Sequence, residues 1–233
     1  MREAPRPAGR KVHEQPGQGP ESFDELPVRR HPRLTTEQVA LAIPHLPNNE
    51  AQTDCYVGKR GYGKTTALRR WLASGPEARV LQLDIYDELD GPRSPSIEHA
   101  VYDLARFGPC WRRVSPPRGG TRAYGDHFLR QVLEYVRDCV IVIDEVTKFF
   151  DADGTDDLEE LVFQGRKYGL RFASTTQRVN ELPRQIRAEA TRLVLYHTTW
   201  PYDLQEIGRW TGSEQVKAEA PTLQRGECFL ITL

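Results

Sequence analysis

The sequence predicts an α/β fold, a mainly parallel central sheet flanked by helices. Two observations carry that expectation. From about residue 49, short apolar runs alternate with stretches of helical period, the signature of β-α-β units. Two of those runs also stop at residues suited to the carboxyl edge of such a sheet: a glycine-rich turn after Val57 and an acidic pair after Ile143.

Residues 1–48 read as a separate N-terminal arm and 49–233 as the domain. The arm carries eight of the 17 prolines, and its start is basic, with Arg2, Arg6, Arg10 and Lys11 against Glu3. Such a segment buries too little apolar surface to offset its ordering entropy. It reads as flexible to about Arg33, followed by a short helix over 36–43 stopped by Pro44. A solvated tail is one reading of it, and a docking arm for a neighbouring subunit or another protein is the other.

Beyond the arm, strands are expected at 53–57, 80–84, 139–144, 170–174, 193–196 and 227–232, with a weaker one at 111–114. Helices are expected at 65–74, 97–107 and 127–137, and again at 157–168, 182–190 and 202–210. The first ends at Gly75-Pro76, the second carries Ile97, Val101, Leu104 and Ala105 on one face, and Asp126 stands where it could cap the third.

Composition excludes several classes. The formal net charge of -1 gives no bulk attraction to nucleic acid, so contact with DNA has to come from local patches. Cys55, Cys110, Cys139 and Cys228 form no C-x-x-C pair, and three fall in expected strands, which suits buried, reduced thiols. The six histidines show no metal-ligand spacing. No apolar run is long enough to cross a bilayer, and the N-terminus lacks the apolar core of a signal peptide.

The chemistry starts at Gly58-Lys59-Arg60-Gly61-Tyr62-Gly63-Lys64-Thr65-Thr66, a full match to the phosphate-binding loop with a strand before it and a helix after it. Its glycines let backbone N–H groups turn toward phosphate oxygens, and the new helix adds its positive end. Lys64 brings a point charge to the β- and γ-phosphates, and the Thr65 hydroxyl is placed to ligate Mg²⁺. ATP and Mg²⁺ are therefore the expected ligands. The second signal is Val140-Ile-Val-Ile143 followed by Asp144-Glu145, four aliphatics of a buried parallel strand ending in acids. Asp144 suits the Mg²⁺ hydration shell, and Glu145, one residue on, suits a base that polarises water for attack on the γ-phosphate. Phosphotransferases have no use for that base, so the pair favours hydrolysis. The third signal is the strand ending Ser174-Thr175-Thr176-Gln177, whose amide could aim at the γ-phosphate or the attacking water.

With these residues in place the chain resembles the HerA/FtsK superfamily of RecA-like (ASCE) P-loop ATPases. The resemblance rests on the loop, on the strand ending in Asp84, on Asp144-Glu145, and on Gln164-Gly-Arg166-Lys-Tyr-Gly169 leading into Thr176-Gln177-Arg178. It continues through Asn180-Glu-Leu-Pro183 and Asp203-Leu-Gln-Glu-Ile, covering about residue 54 to the end. In size the chain is most similar to the genome-packaging ATPases of tailless, membrane-containing viruses. Tyr62 departs from the family's usual small residue in the loop.

The resemblance implies an ATP-driven translocase of double-stranded DNA, assembled as a hexameric ring, in the host cytoplasm or on the virion. It implies a capsid or membrane-vertex protein as the arm's partner. It also implies that each site is completed by an arginine of the neighbouring subunit, with Arg166 and Arg178 the first choices and Arg187 and Arg192 behind them. For DNA, residues 106–125 stand out: Arg106, Arg112, Arg113, Arg118 and Arg122 without one acid, read as a flexible loop that follows phosphates. A solvated surface loop with one edge strand is the plain alternative. A non-translocating assembly ATPase and a P-loop phosphotransferase remain as the competing functions.

Overall fold

The computed structural model describes residues 30–45, 50, 52–75, 79–117 and 121–233. Its strands are β1 (Arg33–Thr35), β2 (Thr53–Val57), β3 (Arg79–Leu83), β4 (Cys110–Val114), β5 (Cys139–Ile143), β6 (Leu170–Thr176), β7 (Arg192–Leu195) and β8 (Glu227–Thr232). Its helices are α1 (Thr36–Ala42), α2 (Lys64–Ser74), α3 (Ile97–Arg106), α4 (Thr121–Tyr135), α5 (Asp156–Gln164), α6 (Arg184–Glu189), α7 (Pro201–Thr211) and α8 (Glu214–Glu219). A 3-10 turn (Gly165–Tyr168) links α5 to β6.

All eight strands form one sheet in the order β1-β8-β7-β2-β6-β5-β3-β4. From β7 to β4 every pair is parallel, whereas β8 runs antiparallel to both β7 and β1. The α/β architecture expected from the alternating runs is the one found. Its strand order has a direct chemical consequence. Because β6 lies between β2 and β5, the end of β6 stands between the glycine-rich turn after β2 and the acids after β5.

The strand alternation sorts side chains onto two helical layers. Cys55, Val57, Ile141, Ile143 and Phe172 face α3, α4, α5 and α6, where Leu104, Phe128, Leu158 and Ile186 complete a core. Tyr56, Val140, Val142, Ala173 and Val194 face the other way, onto Val39, Leu68 and Trp71 of α1 and α2. Burial also explains the cysteines: Cys55, Cys139 and Cys228 are buried, all are free thiols, and desolvation pushes the pKa of each of these three up.

Three sequence expectations are corrected. First, the domain does not begin at residue 49. β1 pairs with β8 through Leu34↔Cys228, and α1, the helix expected at 36–43, buries Val39 and Ala40 against α2. The Thr35 side chain accepts from Gln38 N–H at 3.2 Å and the Gln38 side chain accepts from Thr35 N–H at 2.8 Å, a reciprocal cap that defines where α1 starts. Residues 1–29, the basic start of the arm included, lie outside the described residues. Second, α4 begins at Thr121, six residues ahead of the expected start, so Asp126 sits inside the helix and not at its cap. Gly125 is the reason: it lets the helix approach Phe149 and Phe150, whose atoms would stand 3.0 and 3.1 Å from an added Cβ. Third, the reading of 106–125 as one flexible loop fails at Arg112 and Arg113, which fall in the strand expected at 111–114. They lie in β4, the edge strand paired along β3.

Candidate active site

A cleft of about 450 Å³ opens at the carboxyl edge of the sheet. Arg60, Gly61, Tyr62, Gly63, Lys64, Thr65 and Thr66 line it from the turn and α2, and Asp144, Glu145, Thr175 and Gln177 line it from β5 and β6. Residues separated by some eighty positions in sequence are brought together by the parallel strand order.

The turn is fixed by close backbone approach. Gly58 has φ +137° and an added Cβ would meet Tyr196 Cβ at 2.7 Å, while at Gly63, φ +115°, it would meet Thr36 Oγ1 at 2.7 Å. Neither position tolerates a side chain. Gly58 N–H donates to Thr176 O at 3.2 Å and Lys59 N–H to His197 O at 2.8 Å, anchoring the turn to β6 and to the end of β7. Gly58 and Lys59 therefore support the loop from outside the cleft lining. The Tyr62 ring stacks on His197 with centroids 4.5 Å apart, which gives the unusual aromatic residue a job in holding the turn. Lys64 is 7% exposed, and its ammonium donates to Gly58 O at 2.7 Å and Lys59 O at 3.4 Å. Burial pushes its pKa down, and the nearby Glu145, Asp144 and Glu88 push it back up. The amides of Lys64, Thr65 and Thr66 open α2 and have no carbonyl a turn earlier to bond, so they form a positive, donor-rich floor.

Across the cleft, Thr175 ties the acid pair together. Its hydroxyl donates to Asp144 Oδ1 at 2.7 Å and accepts from Glu145 N–H at 2.8 Å. Asp144 is only 3% exposed, and its pKa is pushed up to about 6. Burial is the largest cause. The Thr175 bond opposes it, and the neighbouring charges of Asp84, Glu145 and Glu88 add to it. Glu145 stands in the left-handed region, φ 51° and ψ 58°, a conformation that turns its side chain back into the cleft. Gln177 then grips both oxygens of that carboxylate, through its backbone N–H at 3.1 Å and its Nε2 at 3.2 Å.

The residues present fit a magnesium ion. A hydroxyl (Thr65) and a carboxylate (Asp144) are the hard oxygen donors that Mg²⁺ uses beside water and phosphate. The fit is supported by charge: Asp144 is buried near three further carboxylates and, among the described residues, Lys64 is the one buried ammonium beside them. Among the described residues no cluster of three or more His, Cys, Asp or Glu suits a protein-only metal cage.

Other expected site residues lie elsewhere. Arg178 follows Gln177 but is held by Asp203 at 2.9 Å, with its guanidinium 4.5 Å from the Trp200 ring. Arg187 pairs with Glu206 at 2.8 Å. Arg192 is 6% exposed and grips Asp54 with Nε–Oδ1 at 2.7 Å and Nη2–Oδ2 at 3.1 Å, a buried pair inside the sheet. Arg166 is exposed on the 3-10 turn before β6, at the opposite sheet edge from the cleft, and among the described residues nothing pairs with its side chain. The acid-free arginine run is not free in space. Arg112 bonds Asp103 at 2.6 Å, Arg113 bonds Asp87 at 3.1 Å and Asp84 at 3.5 Å, and Arg122 bonds Asp151 at 2.6 Å. Its acids come from neighbouring elements, which a linear count does not see. Arg118 lies outside the described residues.

Sequence reasoning did not name Thr175, Tyr86, Glu88, Thr36, Glu37 or Arg225 as site residues, yet all line the cleft. Thr175 alone had a visible signal, its place at the end of a buried strand.

No family model matches the sequence, and no curated protein matches it either. Solved structures do share its fold. The genome packaging NTPase B204 of Sulfolobus turreted icosahedral virus 2, in complex with sulfate, superposes with a TM-score of 0.64 at 17% identity, covering 78% of this chain and 91% of B204. The same protein with AMPPCP gives 0.61 at 19% identity, covering 75% and 89%. VirB4 of Thermoanaerobacter pseudethanolicus gives 0.60 at 12% identity, covering 81% and 89%. The chain therefore shares its α/β fold with these structures.

Proposed function

We propose that the chain is an ATP-hydrolysing DNA translocase of the HerA/FtsK kind, working as a ring to package a viral genome. The observation that carries the hydrolytic half is the carboxylate of Glu145, held across the cleft from the phosphate-binding turn by Gln177. A positioned carboxylate there takes a proton from water as the water attacks the γ-phosphate. Lys64 and the first amides of α2 hold the β- and γ-phosphates and stabilise the charge that gathers on them. Thr65 and Asp144 would hold Mg²⁺, which supplies further neutralisation of the phosphate oxygens. Thr175 keeps Asp144 and Glu145 in register throughout.

The ring rests on a different observation. Among the described residues two arginines line the cleft, Arg60, which lies 3.6 Å from Glu88, and Arg225 before β8, and none of Arg166, Arg178, Arg187 and Arg192 does. Arg166 is exposed at the far sheet edge, so it reaches such a site only in a neighbouring subunit. That makes Arg166 the finger, and the buried or paired Arg178, Arg187 and Arg192 structural. The fold shared with a genome packaging NTPase supports DNA as the polymer. Arg112, Arg113 and Arg122 already neutralise acids of the chain itself and are set aside as its grip. Among the described residues no helix is long and apolar enough to cross a membrane.

The test is ATP turnover with and without linear duplex DNA at low salt. Stimulation that falls steeply as salt rises supports translocation. Turnover indifferent to DNA of any length leaves an ATPase but removes the motor.

A further inference from the structure

The cleft has a second half that the phosphate-binding turn does not explain. Relative to β2, one part of the lining comes from one side of the sheet: Gln177 after β6, Asp144 and Glu145 after β5, Tyr86 and Glu88 after β3. The remaining lining comes from the other side. Thr36 and Glu37 open α1, and Arg225 and Gly226 form the turn before β8. They reach the same edge because β8 is antiparallel to its neighbours. Its first residue, Glu227, pairs with Thr35, so the starts of β8 and α1 meet beside the phosphate-binding turn.

This half is built and not incidental. Thr36 N–H donates to Gly226 O at 2.8 Å, and the Thr36 hydroxyl donates to the same carbonyl at 3.0 Å. Gly226 N–H donates to Tyr62 O at 3.1 Å, so α1, the β8 turn and the phosphate loop are bonded in one chain. Glu37 is paired with Arg70 of α2. Arg225 is exposed, and among the described residues no carboxylate pairs with it.

A nucleoside triphosphate fixed with its γ-phosphate toward Glu145 must extend its base away from the acids, past the turn. We infer that Thr36, Glu37, Tyr62, Arg225 and Gly226 form the nucleoside subsite, with the Arg225 guanidinium lying on the face of the base. The inference rests on the reading of the cleft as an NTP site, and it adds which residues recognise the nucleoside. A planar, weakly hydrated guanidinium on a flexible turn is suited to stack on a base. The subsite also gives the segment 33–37 a role in binding, so the N-terminal strand and helix are part of the machinery and not a preface to it.

Calorimetric titration of the full chain with an ATP analogue and with inorganic tripolyphosphate, both with Mg²⁺, separates the two halves. Arg225→Ala should weaken the ATP analogue about tenfold and leave tripolyphosphate within about twofold. Equal loss for both ligands would make Arg225 a phosphate ligand and overturn the subsite, as would no loss for either. Lys64→Ala is the companion variant and should weaken both ligands together. If the wild-type chain binds neither ligand, the NTP reading fails and the subsite falls with it. If it binds both but Arg225→Ala changes nothing, only the subsite fails.

Discussion

Gln177 holds both carboxylate oxygens of Glu145, its backbone N–H on Oε1 at 3.1 Å and its side-chain amide on Oε2 at 3.2 Å. The strand at whose end Gln177 sits runs beside β2 and beside β5, so its end is in touch with the phosphate loop and the acids alike. Gln177 thus acts through Glu145 as a positioning residue. Gln177→Ala removes one of the two donors and should lower kcat by about tenfold while KM for ATP stays within about twofold. A matched rise in KM would instead place the amide on the ground-state nucleotide.

Thr175 is the hinge between the two acids. Thr175→Val keeps the shape but leaves the Glu145 N–H unpaired and removes the donor from buried Asp144. Urea unfolding should show a loss of about 1–3 kcal/mol. Thr175→Ser, which keeps the hydroxyl, should recover most of it.

Asp144 carries a cost in the nucleotide-free protein. Its pKa is raised to about 6 from 3.8, so folding favours the protonated carboxyl. The stability contributed by the protonated form is fully present below 3.8 and is lost as pH rises through about 6. Above that pH the ionised group costs roughly 3 kcal/mol by the shift. Asp144→Asn should therefore stabilise the nucleotide-free chain by about 1–2 kcal/mol at pH 8, with no gain at pH 3.5, and should abolish turnover. Melting curves at the two pH values check the sign.

Arg192 and Asp54 form a buried two-bond pair with Gln52 Nε2 on Asp54 Oδ2 at 2.6 Å. Arg192→Ala should destabilise the chain by about 3–5 kcal/mol, because it strands a buried carboxylate. Arg166→Ala, on an exposed turn, should leave the melting temperature alone and lower turnover. Mixing it with Lys64→Ala subunits should restore part of the activity, since some interfaces then combine an intact loop with an intact finger. No recovery from assembled mixtures would remove Arg166 from the shared site.

Much of this was readable in the chain, and the unread parts share a cause. The phosphate loop, the strand ending in Asp144-Glu145 and the strand ending in Gln177 declare themselves because local pattern and chemistry coincide. β1 did not, since a three-residue strand beside prolines is defined only by its pairing with β8, almost two hundred residues away. The same holds for the arginines. Arg112 and Arg113 look unopposed in sequence, yet Asp103 and Asp87 reach them across the fold. Asp126 read as the cap of a helix from 127, whereas α4 starts at Thr121 and carries Gly125 inside it, packed against Phe149.

The most direct test of the account is single-turnover hydrolysis by Glu145→Gln at saturating ATP and Mg²⁺. The substitution keeps the shape and the acceptor oxygen but removes the base. The account predicts ATP affinity close to that of the unaltered chain and a chemical step slower by about 10²–10⁴. A chemical step at the normal rate with ATP bound would contradict it, because the water would then be activated by some other group.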